Sequence, residues 1–558
     1  MKKLFNIIIA GALATVSLTS CQRDLTSLNE DPKHPTVLPS QNLLAMGQQQ
    51  FFYYTFTGSV NFNNFRFFVQ QWAETTYTDE TNYDLITRNQ PRNNWNRMYV
   101  YSLNNYEMAK TNLENELGNT ETVKQNKWAT LEISQIAVWE TLVDTYGNIP
   151  YTQAIQAADG QFAPVYDDAK TIYSDLLSRI DAAVAKIDVS EDGYSDGDLV
   201  YGGDMTKWKH FANSIKLRLA MNLADVDAAT SKAAAESAIA SGVISSDDES
   251  YNLVFDGGTF SNPVYDDLVA SGRNDFVPTE FVVNTMNGGE DPRRGKWFTK
   301  ASIKYKVQSV DNSGGKVVIT FVNDEDNNVW EKEEYAKDMT AYYNDSETGN
   351  LVLIGNITSN DDNVITISSP NPDVTVKPSD IISVVYYKGG VFGELNPFGS
   401  YSHMSDFFLG SDAPANLLSY TEVLFLKAEA AARGYSVGGS AESFYKAAVA
   451  ASMSENGVSS DDADAYIAAH PYDAANWEKS IGGEAYIALF NRAFAAWNFT
   501  RRLDYPVLVN PADSELDAVP TRMPYSDQEY VLNKTNVEAA ASAIGGDKAT
   551  TKLFWDIH

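Results

Sequence analysis

Residues 201–223 read YGGDMTKWKHFANSIKLRLAMNL, and the parsing of this stretch decides the fold. Gly202 and Gly203 make a turn, and Asp204 is placed to cap a helix. Trp208, Phe211, Ala212, Ile215, Leu219 and Leu223 then recur at helical spacing as one apolar stripe. Lys207, Lys209, His210, Lys216 and Arg218 sit beside that stripe, in a chain whose formal net charge is −32. Glu422 and Glu429 are isolated acids seven residues apart on an otherwise apolar run, so they share a helix face. A carboxylate in such a place is costly unless paired. Lys216 or Arg218 is therefore expected to meet one of these glutamates, or nearby acids, across a helix interface, as scaffolding rather than a ligand site.

Outward from this helix the chain reads as mainly α. Periodicity predicts helices near 41–56, 93–117, 122–146, 167–188, 204–224 and 228–241, then 414–433, 441–454, 460–469 and 477–499. The 122–146 segment carries two apolar stripes: Ile136, Trp139, Val143 and Tyr146 on one side, Leu131, Val138 and Leu142 on another. A helix apolar on two sides is packed on two sides, as in stacked helix pairs of tetratricopeptide type. No clean 34-residue repeat is visible, so such repeats are degenerate. Residues 301–387 change character: IKYKVQSV, KVVITFV, LVLIGNI, NVITISS and DIISVVYY are short β-type runs between turns, a small β-rich insertion. The tail from 503 to 558 is irregular, with one or two short helices.

The N-terminal residues 1–20 read as a secretory signal: Lys2 and Lys3, then an apolar run from Leu4 to Leu18. The run ends in Leu18-Thr19-Ser20-Cys21, a lipobox in which Cys21, the single cysteine, is lipidated and becomes the new N-terminus. Residues 21–40 are a lipidated, polar, proline-rich tether, and attachment to the membrane is through lipid alone. With no further cysteine there is no disulfide or thiol chemistry. The acidic balance excludes nucleic acid as a partner, because phosphate neutralisation needs clustered Lys and Arg.

The opening stretch resembles the most recognisable helix of the SusD/RagB-like outer-membrane lipoproteins of Bacteroidetes: its YGGD turn, W-K-x-F-A-N-S and L-R-L-A-M. Other stretches agree in order: LVDTYGNIPYTQA (142–154), PVYDDAKTIYSDLLSRIDAAV (164–184), LLSYTEVLFLKAEAAARG (417–434), AFAAWNFTRRLDYP (493–506), PTRMPYSDQEYVLNKTNVEAA (520–540) and LFWD (553–556). The resemblance implies an α domain over 41–558, built as a tetratricopeptide-type scaffold with a loop-rich ligand-binding half. It implies a cell-surface lipoprotein of the outer membrane that binds a nutrient and delivers it to a SusC-like TonB-dependent barrel, acting as its lid. The 301–387 insertion shows no family pattern. Only Asp24 is acidic within three residues of Cys21, so the family's acidic surface-export signal is incomplete.

Region 61–101 is the best ligand-site candidate, because it interleaves aromatics with Asn, Gln, Thr and Arg. Sugar binding needs flat rings against C–H faces and amides or guanidinium groups to meet hydroxyls. Trp72, Tyr77, Tyr83, Arg92, Asn94 and Trp95 are the expected ligand-binding residues. Against this, Trp95 and Tyr99 are four apart, a normal packing pair. A second candidate is FGELNPFGSYSHMSDFF (392–408), a Gly-rich aromatic loop, and Trp330, Tyr342 and Tyr343 of the insertion are candidates to extend the site or meet the barrel. An oligosaccharide is the expected ligand, an oligopeptide the alternative, and a scaffold that binds only proteins the rival from another class.

No catalytic residue is expected. Glu422 and Glu429 have the spacing of a glycosidase pair but a core-like setting. No GxSxG, HExxH or P-loop pattern is present, and the five histidines are scattered. Asp324, Asp326 and Asn328 start a D-x-D-x-N calcium loop, but Val329 stands where glycine is needed and Tyr335 where a glutamate is needed. No cofactor and no metal site are expected; a structural calcium elsewhere in so acidic a chain is left open.

Overall fold

The computed structural model describes residues 38–558 except 325–327, 334–337 and 347. The signal peptide, Cys21, the tether as far as residue 37, Asp326 and Tyr335 lie outside the described residues. The helical body is built from α1 (Ser40–Phe56), α2 (Asn104–Asn115), α3 (Glu121–Tyr146), α4 (Ala169–Val184), α5 (Met205–Asn222), α6 (Ala228–Ser241), α7 (Tyr420–Ala432), α8 (Ala441–Glu455), α9 (Ser460–Ala469), α10 (Trp477–Ala488) and α11 (Ala493–Leu503). Consecutive helices pack as neighbours from α2 to α6 and from α7 to α9, and α7 also packs on α5 and α10. This is the stacked-pair scaffold expected of the mainly α class.

Local signals explain the helix starts. Thr120, Asp168, Asp204, Asp227, Ser419 and Ser440 each accept from a backbone N–H two or three residues on, satisfying donors that the first helical turn leaves orphaned. Helix α3 is buried on every side from Ala129 to Tyr146, so both predicted stripes are core.

Three predicted helices are interrupted, each by tertiary contacts that override periodicity. The 93–117 run splits into Gln90–Asn96, a wide i→i+5 turn over Arg97–Leu103, and α2. The start of 414–433 is instead a strand, Ala415–Leu418, paired antiparallel with Tyr251–Leu253. The 477–499 run breaks between α10 and α11, where Asn491 takes a left-handed φ of 67°. Its side-chain oxygen accepts from Arg66 Nε at 2.8 Å and its backbone N–H donates to Gln71 Oε1 at 3.1 Å.

The segment from Ala301 to Tyr386 forms one seven-stranded antiparallel sheet: β1 (Ala301–Asp311), β2 (Val317–Phe321), β3 (Thr340–Asn344), β4 (Leu351–Asn356), β5 (Ser359–Asp361), β6 (Val364–Ile367) and β7 (Ile381–Tyr386). Strand order is β5-β6-β2-β1-β7-β3-β4. The edge strands β4 and β5 are joined by only Ile357 and Thr358. A flat sheet of this size would hold its edges roughly 29 Å apart at about 4.8 Å per strand, far beyond that link. The sheet therefore curls on itself into a barrel-like unit. Gly355 marks the closure: a Cβ there would lie 2.7 Å from Ile367 Cγ2 on β6. The unit has its own core, in which Tyr305, Phe321, Trp330 and Tyr386 pack together.

Candidate functional site

The predicted ion pairs form, and they hold the scaffold. Arg218 on α5 meets Glu422 on α7 at two points and reaches Glu140 on α3 at 3.1 Å. Glu429 is bound by Arg502 at 2.8 Å and by Arg433 at 3.0 Å, and Lys216 pairs with Asp181 at 2.6 Å. Burial pushes the Glu140 carboxyl up to about 8 against the pull of Arg218. Glu422 and Glu429 are both fully enclosed and charge-paired, which removes the open cleft that glycosidase chemistry needs.

The six expected ligand-binding residues fare differently. Trp72 is fully buried under the Arg66 guanidinium and against Phe276. Tyr83 is buried between Phe68 and Phe392, with its hydroxyl accepting from Gln70. Asn94 is buried and donates to the Gln90 carbonyl. Trp95 is 5% exposed inside a cluster with Tyr99, Tyr146, Tyr166 and Tyr525. These four are core, a correction to the sequence reading: large aromatics gain most by packing, and only their neighbours reach solvent. Arg92 is half-buried and occupied by the Asp527 carboxylate. Tyr77 alone is an open ring, 58% exposed. Trp330 is buried in the sheet core, which corrects its reading as a site extension, while Tyr342 and Tyr343 are half-buried on β3.

Region 61–101 nevertheless presents an aromatic platform through residues that sequence reasoning passed over. The Arg97 guanidinium lies over three rings: Tyr54 at 4.6 Å, Tyr101 at 4.7 Å and Phe62 at 5.4 Å. Tyr101 is 45% exposed, and Val100 beside it is also exposed. Asn93 bridges the backbones of Asn61 and Arg88 at the same edge. Arg97 and Tyr101 both lie in the wide turn Arg97–Leu103, which re-aims side chains relative to a regular helix. An i, i+4 Arg–Tyr pair flanked by asparagines is the signal that could have found them. Arg97 is half-buried, so its guanidinium keeps N–H donors for hydroxyl groups, while the exposed part of the Tyr101 ring takes C–H surfaces; Tyr54 beneath them is buried.

A second feature is a cleft of about 350 Å³ walled by Trp297, Phe407, Phe408 and Phe490. Asn252, Asn416, Arg492, Glu455 and Asp247 are among its other lining residues. Phe407, from the predicted 392–408 loop, is 42% exposed there. Phe398, His403 and Met404 of that loop join residues 268–276 around a smaller cleft of about 230 Å³, where Phe398 stacks on His403 at 3.7 Å. Arg492 is half-buried, paired with Glu455 and donating to Ser419 Oγ at 3.1 Å, and desolvation lowers its pKa to about 10. Among the described residues no helix is long and apolar enough to cross a membrane.

Stacked helix pairs carrying aromatic, loop-built surfaces define a helical-repeat binding-protein architecture. A SusD-like family profile, described as "Starch-binding associating with outer membrane", matches residues 32–335 and 358–526, and the chain belongs to that family. The match enters the sheet from both sides and omits only 336–357 of it, which corrects the reading of the whole insertion as foreign to the family. Among solved structures, a chitin-binding protein is 23% identical with a TM-score of 0.70, covering 93% of this chain and 100% of that one. A SusD homologue from Bacteroides uniformis is 22% identical with a TM-score of 0.65, covering 92% and 99%. A chitin-binding SusD homologue from Flavobacterium johnsoniae is 20% identical with a TM-score of 0.63, covering 93% and 98%. At these identities the likeness concerns the fold. No curated protein matches the sequence.

Proposed function

We propose that this chain is a non-enzymatic lipoprotein of the cell surface, anchored through Cys21, that captures an oligosaccharide. It delivers that glycan to a SusC-like TonB-dependent barrel, which it covers as a lid. The observation that carries the reading is the Arg97–Tyr101–Phe62 platform, a partly exposed aromatic surface with a guanidinium over it and the Asn93 amide beside Asn61. Neutral sugars need this combination of stacking faces and hydroxyl partners. The description of the family as starch-binding and the naming of two similar proteins as chitin-binding support a glycan as the ligand class.

The test is a titration of the mature chain with maltooligosaccharides, chitooligosaccharides and a mixed oligopeptide pool, read by tryptophan fluorescence and thermal shift. Stabilisation by either glycan series supports the reading, since a ligand bound only to the folded state raises its stability. A response to peptides alone, or to none of the three, sinks it. Co-purification with a barrel from solubilised outer membranes tests the delivery role, and loss of membrane attachment in Cys21→Ser tests the anchor.

A further inference from the structure

The aromatic cleft has a feature that the open platform lacks. Asn252 and Asn416 stand directly opposite one another on the short antiparallel strands Tyr251–Leu253 and Ala415–Leu418. Directly opposed side chains project from the same face of a strand pair, with Cβ atoms about 5 Å apart. Both residues line the cleft. The side-chain oxygen of each is buried and has no hydrogen-bond partner among the described residues. Asn416 as a whole is more than nine-tenths buried. Two side-by-side amide ends are thus unsatisfied at the edge of an aromatic chamber, and a buried polar atom without a partner is a standing demand for one.

We propose that this cleft is a second carbohydrate site, which takes a single gluco-configured pyranose ring and reads two neighbouring hydroxyls with Asn252 and Asn416. The inference rests on the glycan-binding reading and deepens it: the platform holds the length of the glycan, and the cleft holds one ring. The chemistry is specific. Two amide oxygens presented side by side meet two hydroxyls that lie side by side on a ring. Equatorial hydroxyls on adjacent carbons do so, and they leave the ring faces flat for stacking on the exposed Phe407, to which Phe408 stands edge-on. An axial hydroxyl would project from the face and break the stack. A cleft of about 350 Å³ sits at the lower end of small-molecule sites, suited to a ring rather than a chain. Asp247 at its lining adds an acceptor, and Glu455 there is held in its ion pair with Arg492.

The experiment is saturation-transfer NMR and calorimetry of the mature chain with glucose and N-acetylglucosamine, both gluco-configured. Binding is expected with Kd on the order of 1–10 mM, as befits a dozen heavy atoms. Asn252→Leu and Phe407→Ala should each weaken it at least about tenfold. Phe407 is 42% exposed and outside the core, so its truncation tests the site in a chain that folds. Phe162→Ala, at an exposed ring that lines neither site, serves as the control and should bind as the parent does. If the parent binds oligosaccharides yet neither monosaccharide at about 50 mM, the cleft proposal falls and the platform reading stands. If monosaccharide binding disappears in Tyr101→Ala and survives in Asn252→Leu, the ring sits on the platform and the proposal is overturned. If no glycan of any length binds, both readings fall together.

Discussion

Arg218 and Glu422 meet across 204 positions of sequence in a two-point ion pair, Nε to Oε1 at 2.7 Å and Nη2 to Oε2 at 3.1 Å. A third point of the same guanidinium engages Glu140 on α3, so three helices are tied to one residue. Truncating one partner of a buried pair leaves charge uncompensated, which typically costs about 3–5 kcal/mol. Arg218→Ala is accordingly expected to lower unfolding free energy by about 3–5 kcal/mol in urea titrations. Glycan affinity of the molecules that remain folded should stay at the parental value. Unchanged stability together with lost affinity would reassign Arg218 from scaffold to site.

A second prediction concerns pH. Glu74 and Glu80 are both buried, and Glu74 accepts from the Thr81 backbone N–H and hydroxyl at 3.0 Å. Burial, and then the neighbouring Glu80 carboxyl, pushes Glu74 up to about 9. Glu80 shifts in the same direction, while its own ion pair with Arg88 opposes the shift. The folded state therefore holds a proton that the unfolded chain releases at its ordinary carboxylate pKa near 4.3. Stability from this group is complete below that pH and is lost as pH rises towards 9, by about 1.4 kcal/mol per pH unit at most. Glu74→Gln keeps the acceptor for Thr81 and removes the titration. Thermal unfolding followed from pH 5 to 9 should show the parent losing stability relative to this variant. Parallel curves would mean that the dyad does not hold the proton.

What could be read from the sequence divides along physical lines. Helices α3, α5 and α7 were legible because their apolar periodicity and capping residues agree. The strand at Ala415–Leu418 and the break at Asn491 were not, because the periodicity continues through both, and partners distant in sequence decide them. Composition singled out the candidate region, but four of the six residues chosen within it lie in the core. Trp72 and Trp95 look like stacking platforms on paper, yet a large ring has more to gain in the core, and composition does not record which ring is left outside. The platform residues Arg97 and Tyr101 lie on a wide turn that helical periodicity does not announce; only their i, i+4 spacing among asparagines marks them.

The platform yields a third prediction. Tyr101 is a partly exposed ring resting against a guanidinium and contributes little to the core. Its removal should therefore leave the melting temperature nearly unchanged, as for most surface substitutions. A ring–sugar contact is comparable to an aromatic pair, about 0.5–1.5 kcal/mol beyond burial, so Tyr101→Ala should weaken oligosaccharide binding about three- to tenfold. Calorimetry with the best-binding oligosaccharide checks this. Parental affinity in the variant would remove the platform from the site.

The last prediction tests the closure of the sheet. Gly355 sits where β4 closes against β6, and any side chain there meets Ile367 at 2.7 Å and the Ser369 carbonyl oxygen at 3.2 Å. Extra volume in a packed interior costs about 1–3 kcal/mol. The sheet's core is separate from the main helical core, so the effect should be local. In Gly355→Val, amide exchange should accelerate at buried positions of the sheet, such as Ile354, Ile365 and Ile382. Exchange at Leu217 and Leu426 in the helical body should keep its parental rate. Equal acceleration in both would show that sheet and scaffold unfold as one unit, and no acceleration in either would show that β4 and β6 do not close the barrel.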